Sequence, residues 1–417
     1  MLLLKNKRRL LLGIFIVMAF LGLFSSHKLR APKRKYSDFH CFYLAGKRAL
    51  SQENIYVLRD KEAAEFRYAP IFAVIMSGFA LFNEGTADSI WFILNFSLLI
   101  ISLLCIKKLV IPGRLGYKKG LFIYALTITG VMRFILHNFD TGQSNILMIS
   151  SMLIGLYYIS KNRNMLGSAI FAFSVMIKYT PLIFIPYFIF KRRFKLALAT
   201  IIFILIYLAL PSLILGFKTN LQYLKSLAPF LTQSTIFDQM TILDPKNQSL
   251  LSFFHRIFTN CILYFHAPVM PFQSLNLKGA YINLIFVLFA ALMYSLILYD
   301  RKKNYSNNPK SLYNIDYALL FICVALFNLN AWVHNFILLS MAYFMLIYYL
   351  TIVKFKDSFT SILLFFSYLL NILTIKSTMG KTLAYQLHFY SPFTIQALIA
   401  FFLLLRIKFS GTKRLIL

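Results

Sequence analysis

Apolar runs of helix-spanning length recur along this chain, at about 10–26, 87–109, 120–137, 146–160, 165–190, 196–215, 278–299, 314–330, 335–352, 358–375 and 391–407. A lipid interior forces every backbone polar group into an internal hydrogen bond, so runs of this kind predict membrane helices. No soluble core needs so many. With 59% of its residues hydrophobic, the chain reads as an all-α polytopic membrane protein. The run 165–190 is longer than one crossing needs and is interrupted by Lys178-Tyr179-Thr180-Pro181. Proline breaks a helix, so that run divides into two short helices and the count becomes about twelve spans. The run 68–83 is read as interfacial or re-entrant, because a full crossing there would invert every later loop. Residues 1–417 then form a single integral membrane domain with two large outer loops, 27–86 and 217–277, the first carrying interfacial helices.

Lys and Arg outnumber Asp and Glu by 44 to 13. In a soluble protein that balance would suggest nucleic acid. Here the basic residues crowd the short segments between apolar runs, which points to membrane lipids and topology control and away from a nucleic-acid partner. The first run decides nothing, since Lys5, Lys7, Arg8 and Arg9 face Lys28, Arg30, Lys33, Arg34 and Lys35 across it. Later clusters at 107–119, 161–163, 191–195, 301–310, 354–356 and 406–414 share one side. The positive-inside rule makes that side the cytoplasm, with both termini there. Ten of the thirteen acids (Asp38, Glu53, Asp60, Glu62, Glu65, Glu84, Asp88, Asp140, Asp238 and Asp244) fall on the other side. Residues 10–26 lack a small-residue cleavage site and read as a retained anchor in a cell membrane. Cys41, Cys105, Cys261 and Cys323 have no metal or disulfide spacing and read as isolated buried thiols.

Chemistry is expected at the outer face. The stretch Tyr36–Leu50 carries Phe39, Phe42, Tyr43 and Leu50 on one helical face, with Lys47, Arg48 and His40 elsewhere and Asp38 expected at the N-cap. A carboxylate held there could act as a general base or could only cap the helix; the residues alone leave both open. On the same side lie His137-Asn138-Phe139-Asp140-Thr141-Gly142-Gln143-Ser144-Asn145, Lys178, Asn247-Gln248-Ser249 with Arg256, and Asn328–Asn335 with Trp332 and His334. Each has a structural alternative. Asn145 and His334 could cap helix ends, Lys178 could snorkel, Trp332 could anchor at the interface, and Asn247-Gln248-Ser249 reads as an N-cap or a chance sequon. Spans almost devoid of acids argue against a transporter or lipid flippase, which normally places carboxylates at membrane depth. A non-catalytic scaffold with structural polar turns is the other alternative.

These pieces resemble the polyprenol-phosphate-sugar-dependent glycosyltransferases of family 87, in the GT-C superfamily, a group that includes mycobacterial phosphatidylinositol-mannoside mannosyltransferases. The matching pieces run from residue 38 to about 340: Asp38 with Tyr43 and Ala45, Phe66-Arg67-Tyr68-Ala69-Pro70, Gly142-Gln143-Ser144-Asn145, Lys178-Tyr179-Thr180-Pro181, Asn247-Gln248-Ser249 with Arg256, and Trp332-Val333-His334. Ala69 stands where the family often has a second proline, and Asn328–Asn330 where it has a small residue or proline. The resemblance implies a GT-C-like fold and an inverting transfer from a polyprenyl-phosphate sugar, mannose first, to a lipid or glycan acceptor outside the cytoplasmic membrane. Asp38 would be the general base, and Lys178, Arg256 and His334 would hold the donor phosphate. Tyr43, Arg67, Tyr68, Gln143, Asn145, Asn247, Gln248 and Trp332 would meet sugar or acceptor, or brace loops. No metal or cofactor is expected, since the chain has no paired-acid site and a lipid monophosphate leaving group does not demand one. A GT-C enzyme of another family is the nearest alternative.

Overall fold

The computed structural model describes residues 20–25, 37–57, 66–111, 113, 115–232, 239–259, 272–299, 309–352 and 357–410, and every regular element among them is helical. In chain order the main helices are α1 Asp38–Leu50, α2 Pro70–Ala80, α3 Glu84–Val110, α4 Tyr117–Thr141, α5 Asn145–Ser160, α6 Asn164–Ile177, α7 Phe184–Phe190, α8 Phe194–Ala209 and α9 Phe217–Thr232. They continue with α10 Leu250–Phe258, α11 Gly279–Leu298, α12 Pro309–Leu326, α13 Leu339–Thr351, α14 Ser358–Leu373, α15 Lys376–Phe389 and α16 Pro392–Phe409.

Six helical segments among the described residues are long and apolar enough to cross a membrane: 84–110, 117–141, 194–215, 279–298, 333–351 and 392–409. The bent pair of α14 and α15 could supply a seventh. Sequence reading expected about twelve spans, and the shortfall lies in helix length. α5 has 16 residues and α6 has 14, about 24 and 21 Å against a hydrocarbon thickness of about 30 Å. Both are packed mainly on protein, so their length need not match a bilayer. Residues 10–19 and 26 of the run 10–26, and Cys261, lie outside the described residues. α2, at 11 residues or about 16 Å, is too short to cross, as the reading of 68–83 expected. The break at Lys178–Pro181 is present as well: α6 stops at Ile177 and a 3-10 turn over Thr180–Ile183 leads into α7.

α1 differs from expectation at its first residue. Ser37, not Asp38, is the N-cap, and its side chain accepts the His40 N–H at 3.3 Å. Asp38 is the first helical residue, so its carboxylate is released from capping. The buried face is Phe39, Phe42, Ala45, Gly46 and Ala49, whereas Leu50 is exposed. Arg48, expected on the polar side, is buried and donates to the Val57 carbonyl at 2.7 Å. α1 lies tight on α2 because Gly46 has no side chain: a Cβ there would sit 2.4 Å from the Met76 carbonyl carbon. His40 Nδ1 and Glu84 Oε1, 2.7 Å apart, and the Tyr43 hydroxyl, donating to Phe82 O at 3.0 Å, tie α1 to the start of α3.

Midway along α12 lies a charge cluster that hydropathy reading passed over. Asp316, fully buried, is 2.8 Å from Lys408 Nζ and 3.3 Å from Lys191 Nζ, and accepts from the Tyr187 hydroxyl at 3.0 Å. Lys408 also donates to the Ile297 carbonyl. The cluster therefore joins the ends of α7, α11 and α16 to the middle of α12. Lys191 and Lys408, read from sequence as members of the cytoplasmic basic clusters 191–195 and 406–414, have side chains only 3% and 2% exposed.

Candidate active site

The turn Gly142-Gln143-Ser144 between α4 and α5 is pressed against the first turn of α1. Gly142 has φ +67°, a left-handed conformation that ends α4 and that glycine adopts without strain. A Cβ on it would lie 2.6 Å from the Phe39 Cβ. The indole N–H of Trp91 donates to the Gly142 carbonyl at 2.9 Å and fixes the turn from α3. We expect Gly142→Ala to cost at least about 1–2 kcal/mol from the left-handed backbone alone and to push the turn off α1. Thermal unfolding and sugar-transfer rate check this, and wild-type values for both would remove the packing role.

That contact brings the Gln143 side chain near enough to Asp38 to act on its charge. Burial pushes the Asp38 carboxyl above its ordinary value, while the Gln143 hydrogen bond and the charge of Lys178 pull it back down. Tyr68 closes another side: Ser144 Oγ lies 3.1 Å from its hydroxyl, and the Tyr56 hydroxyl donates to its carbonyl at 2.7 Å. Burial, and then the Asp38 charge, hold the Tyr68 phenol neutral.

Lys178 arrives from the break after α6. Its ammonium donates to Asn335 Oδ1 at 2.8 Å and lies close enough to Asp38 for each charge to act on the other. It is half-buried and held by Asn335. Burial lowers its pKa to about 8, against an opposing pull from Asp38. His334 sits in the 3-10 turn Val333–Leu338, with Nδ1 3.4 Å from His137 Nδ1 and its ring stacked on Trp332 at 19°. Its carbonyl accepts from Asn138 Nδ2 at 2.9 Å, and Asn145 Nδ2 donates to Asn138 Oδ1 at 3.2 Å. Asp38, Tyr68, Gln143, Asn145, Lys178 and His334 are thus gathered by one connected set of contacts. His137, Asn138 and Asn335 belong to it too and were not picked out as site residues. Their signal was adjacency, on α4 one turn before Gly142 and one residue after His334.

Other expected residues brace the site. Asn247 accepts the Ala331 N–H at 3.2 Å and donates to Leu329 O at 3.1 Å, while the Gln248 N–H donates to Ala331 O at 2.6 Å. Together they hold the loop that leads to His334. Gln248 Nε2 reaches the Pro245 and His388 carbonyls, and Ser249 is the N-cap of α10, as expected. Asn247 is 1% exposed, so the sequon is closed. Arg256, expected on the donor phosphate, is 0% exposed and does not present an open cation. It donates to the Phe389 and Asp244 carbonyls at 3.1 and 2.8 Å and to the hydroxyls of Ser252 and Ser391. A guanidinium so enclosed clamps α10 to the end of α15. Tyr43 is spent on Phe82, Arg67 is exposed, and the Trp332 N–H is 2.8 Å from Asn330 Oδ1. No group of three His, Cys, Asp or Glu among the described residues is placed to hold a metal ion.

The sequence profile of glycosyltransferase family 87 matches residues 66–308, more than half of the 417. The chain belongs to glycosyltransferase family 87. A comparison with curated proteins finds no match. Tyr68, Gln143, Asn145 and Lys178 lie within the family 87 match, and Asp38 and His334 flank it. The packing of α1 on Gly142 and the bond of Asn138 to His334 join those two to the matched segment. This family 87 glycosyltransferase therefore has a half-buried carboxylate, an amide and a half-buried lysine at one focus, on a helical membrane scaffold.

Proposed function

We propose that this protein is a GT-C-type, inverting glycosyltransferase that moves a sugar, mannose first among candidates, from a polyprenyl-phosphate donor to a lipid or glycan acceptor. The work would be done at the outer face of the cytoplasmic membrane, with both termini inside; the grouping of basic segments on one side and acids on the other supports that orientation. The observation that carries the reading is Asp38 itself. Its carboxylate is free of capping duty and half-enclosed, and a lysine ammonium stands beside it.

An acceptor hydroxyl attacks the anomeric carbon and its proton passes to the Asp38 carboxylate. The bond from the anomeric carbon to the phosphate oxygen breaks, and the electron pair leaves with the polyprenyl phosphate. Lys178 is suited to the negative charge that develops on that oxygen, because a cation held in a poorly solvated site acts strongly on it. His334, with Asn335 beside it, flanks the same position. We assign Arg256, Asn247 and Gln248 to bracing the 328–335 loop.

The test is a reconstituted protein supplied with polyprenyl-phosphate mannose. Release of polyprenyl phosphate, with inverted configuration in the product, is the expected result; a scaffold or flippase would release none. Lys178→Ala is expected to weaken donor use by about 10-fold or more, the scale of losing a hydrogen-bonded charge. In the wild type, activity should fall as pH rises through about 8, where Lys178 loses its proton. An unchanged donor KM and an unchanged alkaline limb in Lys178→Ala would remove this lysine from the phosphate.

A further inference from the structure

The imidazole of His334 is held from three sides. Trp332 stacks on it with ring centroids 6.3 Å apart, Asn138 Nδ2 holds its backbone carbonyl at 2.9 Å, and His137 Nδ1 stands 3.4 Å from its own Nδ1. The two imidazoles are tilted by 47°, with centroids 5.3 Å apart. His137 is carried on a fastened stretch of α4. One turn earlier, Arg133 donates to the Asn371 carbonyl at 3.3 Å and to the Thr374 hydroxyl; at the helix end, Trp91 holds Gly142.

A neutral imidazole has one N–H and one lone pair. Two Nδ1 atoms that face each other within hydrogen-bond range therefore divide the roles, one carrying the proton and the other accepting it. Which nitrogen of a histidine is protonated follows from the bond that its other nitrogen makes. With the shared proton on His334, the Nε2 of that ring is a bare acceptor. With it on His137, His334 accepts at Nδ1 and carries its own proton on Nε2. Among the described residues, no hydrogen bond involves the Nε2 of either ring. An ionised phosphate oxygen accepts and cannot donate, so only the second arrangement lets a neutral His334 bind it. The surrounding charges favour the same arrangement. Asp140, one turn further along α4, acts on His137 more strongly than Arg133 does, whereas Lys178 is the leading charge on His334.

We infer that His137 is a positioning residue for the donor phosphate: its Nδ1–H, given to Nδ1 of His334, fixes His334 as an Nε2–H donor. This rests on the proposed glycosyl transfer, with His334 beside the leaving phosphate. His137 acts through its neighbour and touches no substrate. Without it, a neutral His334 is free to keep its proton on Nδ1 and turn a lone pair toward the anion.

The experiment uses the full-length protein in proteoliposomes with polyprenyl-phosphate mannose, and reads donor KM and kcat from release of polyprenyl phosphate. His137→Leu removes the N–H. His137→Asn keeps an amide N–H as many bonds from Cβ as Nδ1. His334→Gln carries an N–H as many bonds from Cβ as Nε2, whatever stands opposite. His137→Leu should raise donor KM by about 10-fold or more, the scale of a hydrogen bond to a charged group, with kcat little changed, the signature of lost ground-state binding. His137→Asn should stay near the wild-type KM. His334→Gln should itself be weaker than wild type, but adding His137→Leu to it should change KM little, because no tautomer is left to set. A role in packing alone would lower kcat or the yield of folded protein, would not be rescued by asparagine and would add to His334→Gln. A His137→Leu protein with the wild-type donor KM overturns the inference. So does a His137→Asn protein as impaired as His137→Leu, or a double variant whose losses simply add. Those failures differ from failure of the function itself, a wild type that releases no polyprenyl phosphate, which takes both proposals down.

Discussion

Asp38→Asn is expected to give a folded, membrane-inserted protein that releases polyprenyl phosphate at least about 100-fold more slowly than the wild type, the low end of what a positioned general base contributes. Asparagine fills the same space. Ser37 keeps the helix cap, because the cap never depended on position 38. What is lost is a basic oxygen able to take a proton and one negative charge facing Lys178. The wild-type pH profile carries the sign. The base must be ionised, and burial raises its pKa, so activity should fall as pH drops through a limb above the ordinary carboxylate range. That limb should be missing from the residual activity of Asp38→Asn. Near-normal turnover by the variant in proteoliposomes, with wild-type folding by size exclusion, would strip Asp38 of the role.

Much of the focus was legible from residues whose local physics has one outcome. Proline at 181 cannot continue α6, and Gly142 suits a left-handed helix end, so the break and the turn could be placed from sequence. Ser249 before Leu250 was readable as a cap for the same reason. Ser37 and Asp38 could not be told apart, since both residue types cap helices and stand next to each other; only the extended backbone of Ser37, with ψ 159°, decides. Arg256 could not be assigned either. Its carbonyl partner at Phe389 is 133 residues away, and one arginine in sequence looks the same whether it faces a phosphate or a helix end. α15 was missed because Lys376–Phe389 is too polar for a hydropathy signal, and Gly380 interrupts it at φ +75°. Six spans among the described residues, against about twelve expected, leave the shorter apolar helices uncounted, because an apolar helix covered by protein answers to its neighbours' length as well as to the bilayer's.

The same cover by protein hid Asp316, and replacing it should produce the largest loss of stability in the molecule. Asp316→Asn would leave Lys191 and Lys408, both nearly sealed from solvent, with their shared counter-charge removed. Breaking a buried ion pair from one side costs about 3–5 kcal/mol, because the remaining charge keeps its desolvation penalty without the attraction that offset it. Here two like charges remain. The Tyr187 hydroxyl also loses its carboxylate acceptor. The expected outcome is a marked drop in the thermal midpoint in detergent, with α7, α11, α12 and α16 loosening together at that end. A neutral compensation separates charge from packing: Asp316→Leu combined with Lys191→Met and Lys408→Met should recover most of the loss, since an apolar replacement of a whole buried cluster is often neutral or better. Asp316 stands ten residues, about 15 Å, before the end of α12 that leads into the loop to His334. Donor KM of the surviving Asp316→Asn protein should therefore stay at the wild-type value while its amount falls. A single variant as stable as wild type, or a triple variant no better than the single, would mean that Asp316 does not hold the four helices by its charge.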